Sequence, residues 1–164
     1  ERLAQGADKI YWRDYTPLPT WRAQTMDGSS AQYDLTLISY KLIEFKQSRA
    51  SFIPLLAELA PEQRLDINPR TAKARGIRDR DMVWVESHNA VTGEARKLSA
   101  PVQARYTEGI RPDTVGMPHH YGMWTHPWAK GHGPSANTLF FTGEGYVANT
   151  ADQSFLVKVR VFKA

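Results

Sequence analysis

Residues 64–87, RLDINPRTAKARGIRDRDMVWVES, constrain the fold more than any other stretch of this sequence. LDI predicts a short strand. Asn68 followed by Pro69 is typical of a helix start, because asparagine caps the helix and proline at its first position loses no hydrogen bond. The helix PRTAKAR then ends at Gly76, a natural residue for a left-handed C-terminal cap. A turn in IRDRD leads into a second strand, MVWVES. Strands in this chain are therefore short and closely spaced.

The rest of the chain continues this alternation of short strands and turns. The first strand is predicted in YDLTLISY (33–40), a short helix in IPLLAELAP, further strands in EARKLSAPVQARY and DTVGMPH, and a last strand in QSFLVKVRVFKA. The pattern predicts a mainly β fold with short helices, arranged as a small barrel. Residues 1–32, with the spaced prolines of TPLPTW, are predicted to be an arm or linker from a preceding domain, and residues 33–164 the barrel domain.

Composition excludes several classes of protein. The 164 residues suffice for one domain with a buried core, and the absence of cysteine rules out disulfides, thiolate metal sites and a cysteine nucleophile. No apolar run approaches the ~18 residues of a membrane span, and the first residues lack the apolar core of a secretory signal. The formal charge of +4 allows an anionic partner, although the basic residues within 61–80 also suit a solvated surface.

Residues 117–139, MPHHYGMWTHPWAKGHGPSANTL, raise the functional question, because a long irregular loop in a compact domain is unusual unless it is functional. The spacing of its histidines disfavours zinc or copper, since none are four residues apart and adjacent ones in a strand point to opposite faces. Serine catalysis would depend on Ser135 near His132 without a nucleophile elbow. A glycosidase mechanism would need a pair of carboxylates, and this loop contains no Asp or Glu. Hydrogen bonds from its histidines to a bound group are favoured instead. The histidines are His119, His120, His126 and His132.

Phosphate binding is the other candidate chemistry. The chain has no G-x-x-x-x-G-K-[ST] motif and no G-x-G-x-x-G after a strand. Hydroxyl, amide and basic side chains nevertheless follow the first strand directly, and such groups suit phosphate oxygens. An ordinary solvated turn remains the alternative. The residues are Ser39, Lys41, Lys46, Gln47, Ser48 and Arg49.

Two motifs resemble the C-terminal molybdopterin-dinucleotide-binding domain of the dimethyl sulfoxide reductase family. INPRTAKARGIRDRDMVWVES is similar to the family's INP-x-x-A-x-x-x-GI-x-x-GD-x-V-x-V-x-S, and TEGIRPDTVGMPHHYG to its T-x-GI-x-PG-x-V-x-x-x-HG-x-G. SANTL resembles an Asn-containing loop of the family, and TPLPTW the segment that leads into the domain. The sequence departs at Arg80 and Asp113, where glycine is usual, and at His120, which replaces a glycine. These departures concern local turn geometry.

The resemblance, over about residues 33–164, implies a six-stranded double-psi β-barrel that binds molybdopterin guanine dinucleotide, carrying molybdenum or tungsten, in an oxidoreductase. It implies no catalytic residue and no metal ligand in this chain, because the family's metal ligand lies in an earlier domain, so the chain alone should not turn over substrate. Implied contacts are with phosphate and guanine after the first strand and at Asn68, and with the pterin elsewhere. They are Ser39, Tyr40, Lys41, Lys46, Gln47, Ser48, Asn68, His119, His120, Tyr121, Gly122, Asn137 and Gln153.

The resemblance also implies partners. These are the remaining domains of the catalytic subunit, with an iron–sulfur electron-transfer subunit as a further candidate; no membrane segment is expected, and nucleic acid is disfavoured. HHYG and TPLPTW favour the polysulfide, thiosulfate, tetrathionate and arsenate reductase branch. The alternative is a stand-alone double-psi barrel that binds a nucleotide, nucleic acid or protein without catalysis. A periplasmic and a cytoplasmic location in a prokaryote both stay open. Trp124 and Trp128 are the expected apolar anchors of the 117–139 loop.

Overall fold

A computed structural model of the chain describes residues 31–141 and 156–164. The predicted arm, up to residue 30, and the predicted contact residue Gln153 lie outside the described residues, and the division at residue 32 stays a prediction. The strands are β1 (Leu35–Tyr40), β2 (Arg64–Ile67), β3 (Met82–His88), β4 (Ala95–Lys97), β5 (Val102–Tyr106), β6 (Thr114–Pro118) and β7 (Leu156–Lys163). The α-helices are α1 (Pro54–Leu59) and α2 (Pro69–Ala74), and two 3-10 helices cover Gln47–Phe52 and Ala136–Leu139.

Six of these strands form a closed barrel. Their order around the barrel is β1, β6, β2, β5, β3 and β7, and β7 pairs with β1 to close the ring. The pairs β1–β6 and β2–β5 are parallel, whereas the other pairs are antiparallel. Strand β4 forms a hairpin with β3 outside the ring. The predicted mainly β fold, a six-stranded barrel with short helices, is confirmed.

The barrel interior is aliphatic, as the period-two patterns predict. In β7, Val157, Val159 and Val161 are buried, while the intervening Lys158 and Arg160 lie on the outer face. The first and third strands alternate in the same way. Because a one-residue slip would move each buried set to the solvent side, this alternation fixes the strand register. The inward residues are joined by Phe140 and Phe141, which follow the second 3-10 helix.

Helix α2 begins and ends as the sequence predicts. The Asn68 Oδ1 accepts a hydrogen bond from the Arg70 amide at 3.0 Å, and Pro69 occupies the first turn. Gly76 follows the helix with a φ of +66°. Arg80, which replaces a usual glycine, also adopts a left-handed conformation with a φ of +69°, so the turn keeps its geometry despite the substitution. Asp113 is not among the residues with positive φ, so its position needs no glycine.

The strand directions place two loops at one end of the barrel. Strands β1 and β6 run parallel and end side by side at Tyr40 and Pro118. Strand β2 runs antiparallel to β6, so Gln63, just before β2, lies at that same end. The Gln63 side chain is buried, and its Nε2 donates to the carbonyls of Pro118 at 2.7 Å and Pro134 at 3.3 Å. This amide ties the long loop after β6 to the barrel.

Candidate functional site

The loops that leave β1 and β6 bring several predicted contact residues together. The Ser39 Oγ lies 3.4 Å from the His119 Nδ1, and the His119 Nε2 lies 3.1 Å from the Gln47 Oε1. These three residues, together with Lys41, Lys46 and Ser48 of the same loop, are called the β1–β6 rim below. With Gln47 Oε1 as the acceptor, the ring proton of His119 sits on Nε2, and Nδ1 is left to accept from the serine hydroxyl.

His119 is held in its neutral form at pH 7. Burial lowers the pKa of His119, and the positive charge of Lys41 lowers that pKa further. A negatively charged ligand placed beside the ring would oppose both effects, because an opposite charge favours the protonated form. The electrostatics of the β1–β6 rim therefore suit an anion more than a cation.

The charged and amide side chains of the rim point to solvent. Lys41, Lys46 and Gln47 are exposed, and Ser48 is half-buried. Among the described residues, neither lysine forms an ion pair. Gln47 has a φ of +55°, which turns the chain sharply into the 3-10 helix that it begins. Two ammonium groups without an ion pair among the described residues, together with hydroxyls and an amide, are a donor set that fits phosphate oxygens.

His120 and Tyr121 lie beneath this surface. His120 is fully buried, and its Nε2 accepts a hydrogen bond from the Leu42 amide at 2.9 Å. The Tyr121 hydroxyl donates to the Ala60 carbonyl at 2.9 Å, and burial raises the pKa of Tyr121 to about 12. Phe45 packs edge-on against both rings. The side chains of both residues are thus used inside the domain, and their contact with a cofactor stays a prediction.

Tyr40 points away from Ser39, as neighbouring residues of a strand do. Its hydroxyl donates to the Asp66 Oδ2 at 2.6 Å, and Arg105 binds the same carboxylate through Nε at 2.6 Å and Nη2 at 2.8 Å. Burial raises the pKa of Tyr40, and the hydrogen bond to Asp66 raises it further. The aromatic ring lines a separate cleft of about 90 Å³ beside Tyr121.

Sequence reasoning missed the ion pair between Asp66 and Arg105. Its signal was the pairing of β2 with β5, because the parallel register places Asp66 directly beside Arg105. Neither strand's own sequence reveals that neighbour. Gln63 was missed for the same reason, since its partners are carbonyls of distant loops.

The loop after β6 is anchored differently from the expectation. Trp124 and Trp128 are 78% and 61% exposed, so the prediction that they anchor the loop was wrong. Small and aliphatic residues carry the packing, namely Ala129, Ala136 and Leu139.

Gly122 and Asn137 lie near each other in this loop. Gly122 has a φ of +91°, and a Cβ there would lie 2.5 Å from the Ser135 Cβ, so the close approach requires glycine. The Ser135 Oγ accepts from the Asn137 amide at 3.3 Å, while the Asn137 side chain is exposed. That side chain is free to meet a ligand.

Asn68 is separated from the other predicted contacts. It follows β2, which runs antiparallel to β6, and therefore lies at the opposite barrel end from His119. Its Nδ2 donates to the Ile110 carbonyl at 2.8 Å, and its Oδ1 caps α2. Both ends of this amide are used within the domain, so the structure gives Asn68 a structural role, and its guanine contact stays a prediction.

The described ranges lack two kinds of feature, a metal-binding cluster and a membrane-spanning helix. Residues 31–141 and 156–164 contain no group of three or more His, Asp or Glu side chains placed to hold a metal ion. Over the same residues, no helix has both the length and the apolar character needed to cross a bilayer.

Comparison with known proteins gives a consistent set of relatives. The family described as "Molydopterin dinucleotide binding domain" matches residues 35–149. Dopamine dehydroxylase from Eggerthella lenta is 31% identical over 127 residues, which are 70% of this chain and 11% of that protein. The alpha subunit of formate dehydrogenase 2 from Nitratidesulfovibrio vulgaris is 31% identical over 161 residues, 87% of this chain and 14% of its own length.

Two further relatives extend this set. The molybdopterin-containing subunit of thiosulfate reductase from Salmonella typhimurium is 34% identical over 82 residues, 50% of this chain and 10% of its own length. Acetylene hydratase from Pelobacter acetylenicus has a similar fold, with a TM-score of 0.72 at 15% identity over 93% of this chain and 22% of that structure. The chain thus spans about a tenth of the length of the curated relatives that it matches.

Proposed function

Because this chain belongs to the molybdopterin dinucleotide-binding domain family, we propose that the β1–β6 rim is its binding site for the dinucleotide phosphates. The observation that carries this proposal is the hydrogen-bonded series Ser39, His119 and Gln47 beside the exposed ammonium groups of Lys41 and Lys46. Charge-assisted hydrogen bonds to phosphate are stronger than neutral ones. The cofactor of the family is a molybdopterin guanine dinucleotide, and the comparisons give no support to a stand-alone barrel with another ligand.

The residues of the rim have different proposed roles in binding, according to their chemistry. Lys41 and Lys46 supply positive charge, whereas Ser39 and Gln47 orient the neutral ring of His119 between them. On the other loop, the exposed amide of Asn137 is proposed to contact the pterin. When bound, the cofactor brings the metal that supplies the redox chemistry, and the protein supplies binding and orientation.

We propose that the whole protein is a molybdenum or tungsten oxidoreductase and that this chain is one domain of its catalytic subunit. The other domains of that subunit are the proposed partners, and an iron–sulfur subunit is a further proposed partner. Relatives named for dopamine, thiosulfate and formate chemistry match at similar identity, so these matches do not favour one substrate. The thiosulfate-type branch stays a prediction.

The test is cofactor retention by the full-length protein. Acid extraction releases GMP and an oxidised, fluorescent pterin, each measured per mole of protein. The double variant Lys41→Ala/Lys46→Ala should retain at least about tenfold less GMP, because even one lost hydrogen bond to a charged group is worth about 1.5–3 kcal/mol. Asn137→Ala should lower pterin retention by about threefold to tenfold, the range for one neutral hydrogen bond.

The matched control is Lys73→Ala. It also removes an exposed lysine, but from α2, which follows Asn68 at the other barrel end. This variant should retain GMP as the wild type does. Equal GMP in the double variant and in Lys73→Ala, with both proteins folded by circular dichroism, would contradict the proposed site.

A further inference from the structure

His120 has a fixed protonation state in this fold. It is fully buried, and its Nε2 lies 2.9 Å from the Leu42 nitrogen, which can only donate. The Nε2 must therefore be the unprotonated acceptor, and the ring is neutral with its proton on Nδ1. Within residues 31–141 and 156–164, that Nδ1 has no hydrogen-bond partner of normal geometry.

The surroundings of His120 come mainly from one segment, residues 41–48. Leu42 donates the hydrogen bond, Phe45 packs edge-on at 5.4 Å between ring centroids, and the main chain of Gln47 lies beside the ring. The neighbouring ring of His119, 4.4 Å away between centroids, contacts the Gln47 side chain. The first and last parts of the 41–48 segment are thus tied to the same pair of histidines.

The charges around His120 oppose its protonation. Burial lowers the pKa of His120, and the nearby His119 and Lys41 lower it further. The main chain of Gln47 and the carboxylate of Glu44 act in the opposite direction without reversing the result. Protonation of Nε2 would also place a second donor against the Leu42 amide and leave a charge in an apolar pocket.

We propose that neutral His120 is a positioning residue that holds the 41–48 segment so that Lys41, Lys46 and Gln47 meet the cofactor, and that protonation of His120 releases this segment. In this role His120 acts on the cofactor through the 41–48 segment, to which its buried side chain is bonded. The inference rests on the proposed function of the β1–β6 rim for its consequence, but the contacts between His120 and the segment do not depend on it.

The experiment measures amide hydrogen exchange of the 41–48 segment in the full-length protein at about pH 7.5 and about pH 4.5. The lower pH is set well below the ordinary histidine pKa because burial lowers the pKa of His120. Protection is corrected for the intrinsic pH dependence of exchange. In the wild type, the Leu42 amide should lose about threefold to tenfold protection at the lower pH, the ratio produced by one hydrogen bond.

Two variants distinguish the effect of the accepting atom from the effect of the aromatic ring. His120→Gln places an amide oxygen near the position of Nε2 but does not titrate, so its protection should stay at the level of the wild type at both pH values. His120→Phe keeps the ring without an acceptor and should be poorly protected at both. The control His88→Gln removes a histidine that stacks on Tyr33, and its 41–48 segment should follow the wild type.

Retention of GMP, measured on the same samples, tells the inference apart from the proposed function. If the wild type loses GMP at the lower pH and His120→Gln keeps it, both are supported. If GMP is absent from the wild type throughout, the proposed function fails, while the Leu42 exchange still decides the role of His120. Wild-type protection that does not change with pH, or that changes equally in His120→Gln, overturns the inference.

Discussion

Replacing Arg80 by glycine should stabilise the folded domain. Its φ of +69° places it in the left-handed region, and its exposed side chain forms no ion pair or hydrogen bond with the described residues. The Cβ in this conformation costs about 1–2 kcal/mol, whereas glycine loses about 0.4–1 kcal/mol through its freer unfolded chain. Arg80→Gly should therefore raise the free energy of unfolding by roughly 0.5–1 kcal/mol.

The reverse change at Gly76 provides an internal check. Its φ is +66°, and a Cβ there would meet no atom within 4 Å, so Gly76→Ala tests backbone conformation without a steric clash. It should lower the free energy of unfolding by roughly the amount that Arg80→Gly adds.

Thermal unfolding of the chain measures both changes. For a domain of this size, 1 kcal/mol corresponds to a Tm shift of about 2–4 °C. Arg80→Ala is the control, because it removes the charge but keeps the Cβ, and its Tm should match the wild type. If the Tm of Arg80→Ala rises as much as that of Arg80→Gly, the stabilisation comes from the loss of charge, and the argument from backbone conformation is refuted.

Three further predictions concern the ionisable groups and the loop. Burial lowers the pKa of His119 and of His120 from 6.5. The stability that these neutral rings contribute is therefore complete above pH 6.5 and is lost as the pH falls below it. A denaturant midpoint of the cofactor-free chain that does not decrease when the pH is lowered from about 7 to about 5 would contradict this. Asp66→Asn should cost about 1–3 kcal/mol in urea unfolding, discounted because the Arg105 side chain is 46% exposed. Gly122→Ala should destabilise the domain by more than about 1 kcal/mol, since its Cβ would lie 2.6 Å from a main-chain nitrogen; an unchanged Tm would show that the loop moves freely.

Local patterns predicted the elements of this fold well. The Asn68–Pro69 start of α2, the glycine that ends it and the alternation of β7 are each set by residues within one turn or one strand. The six-stranded closure of the barrel was expected only from the family resemblance. It pairs the first strand with the last, and no local pattern encodes that pairing.

The candidate site was only partly predictable, because it depends on which way side chains point. The sequence grouped Ser39 with Tyr40 as neighbours, yet the strand directs one to His119 and the other to Asp66. It also grouped His119 with His120, although one borders the rim and the other is fully buried. Such differences arise from packing between loops that are distant in sequence.

The pairing of β7 with both β1 and β3 imposes an order on biosynthesis. A ribosome makes residues 35–118 before residues 156–163, so the emerging chain can form a sheet in which β1 and β3 each lack the neighbour that β7 later provides. Exposed strand edges favour association between chains. Until β7 is translated, these edges of β1 and β3 stay open to such contacts.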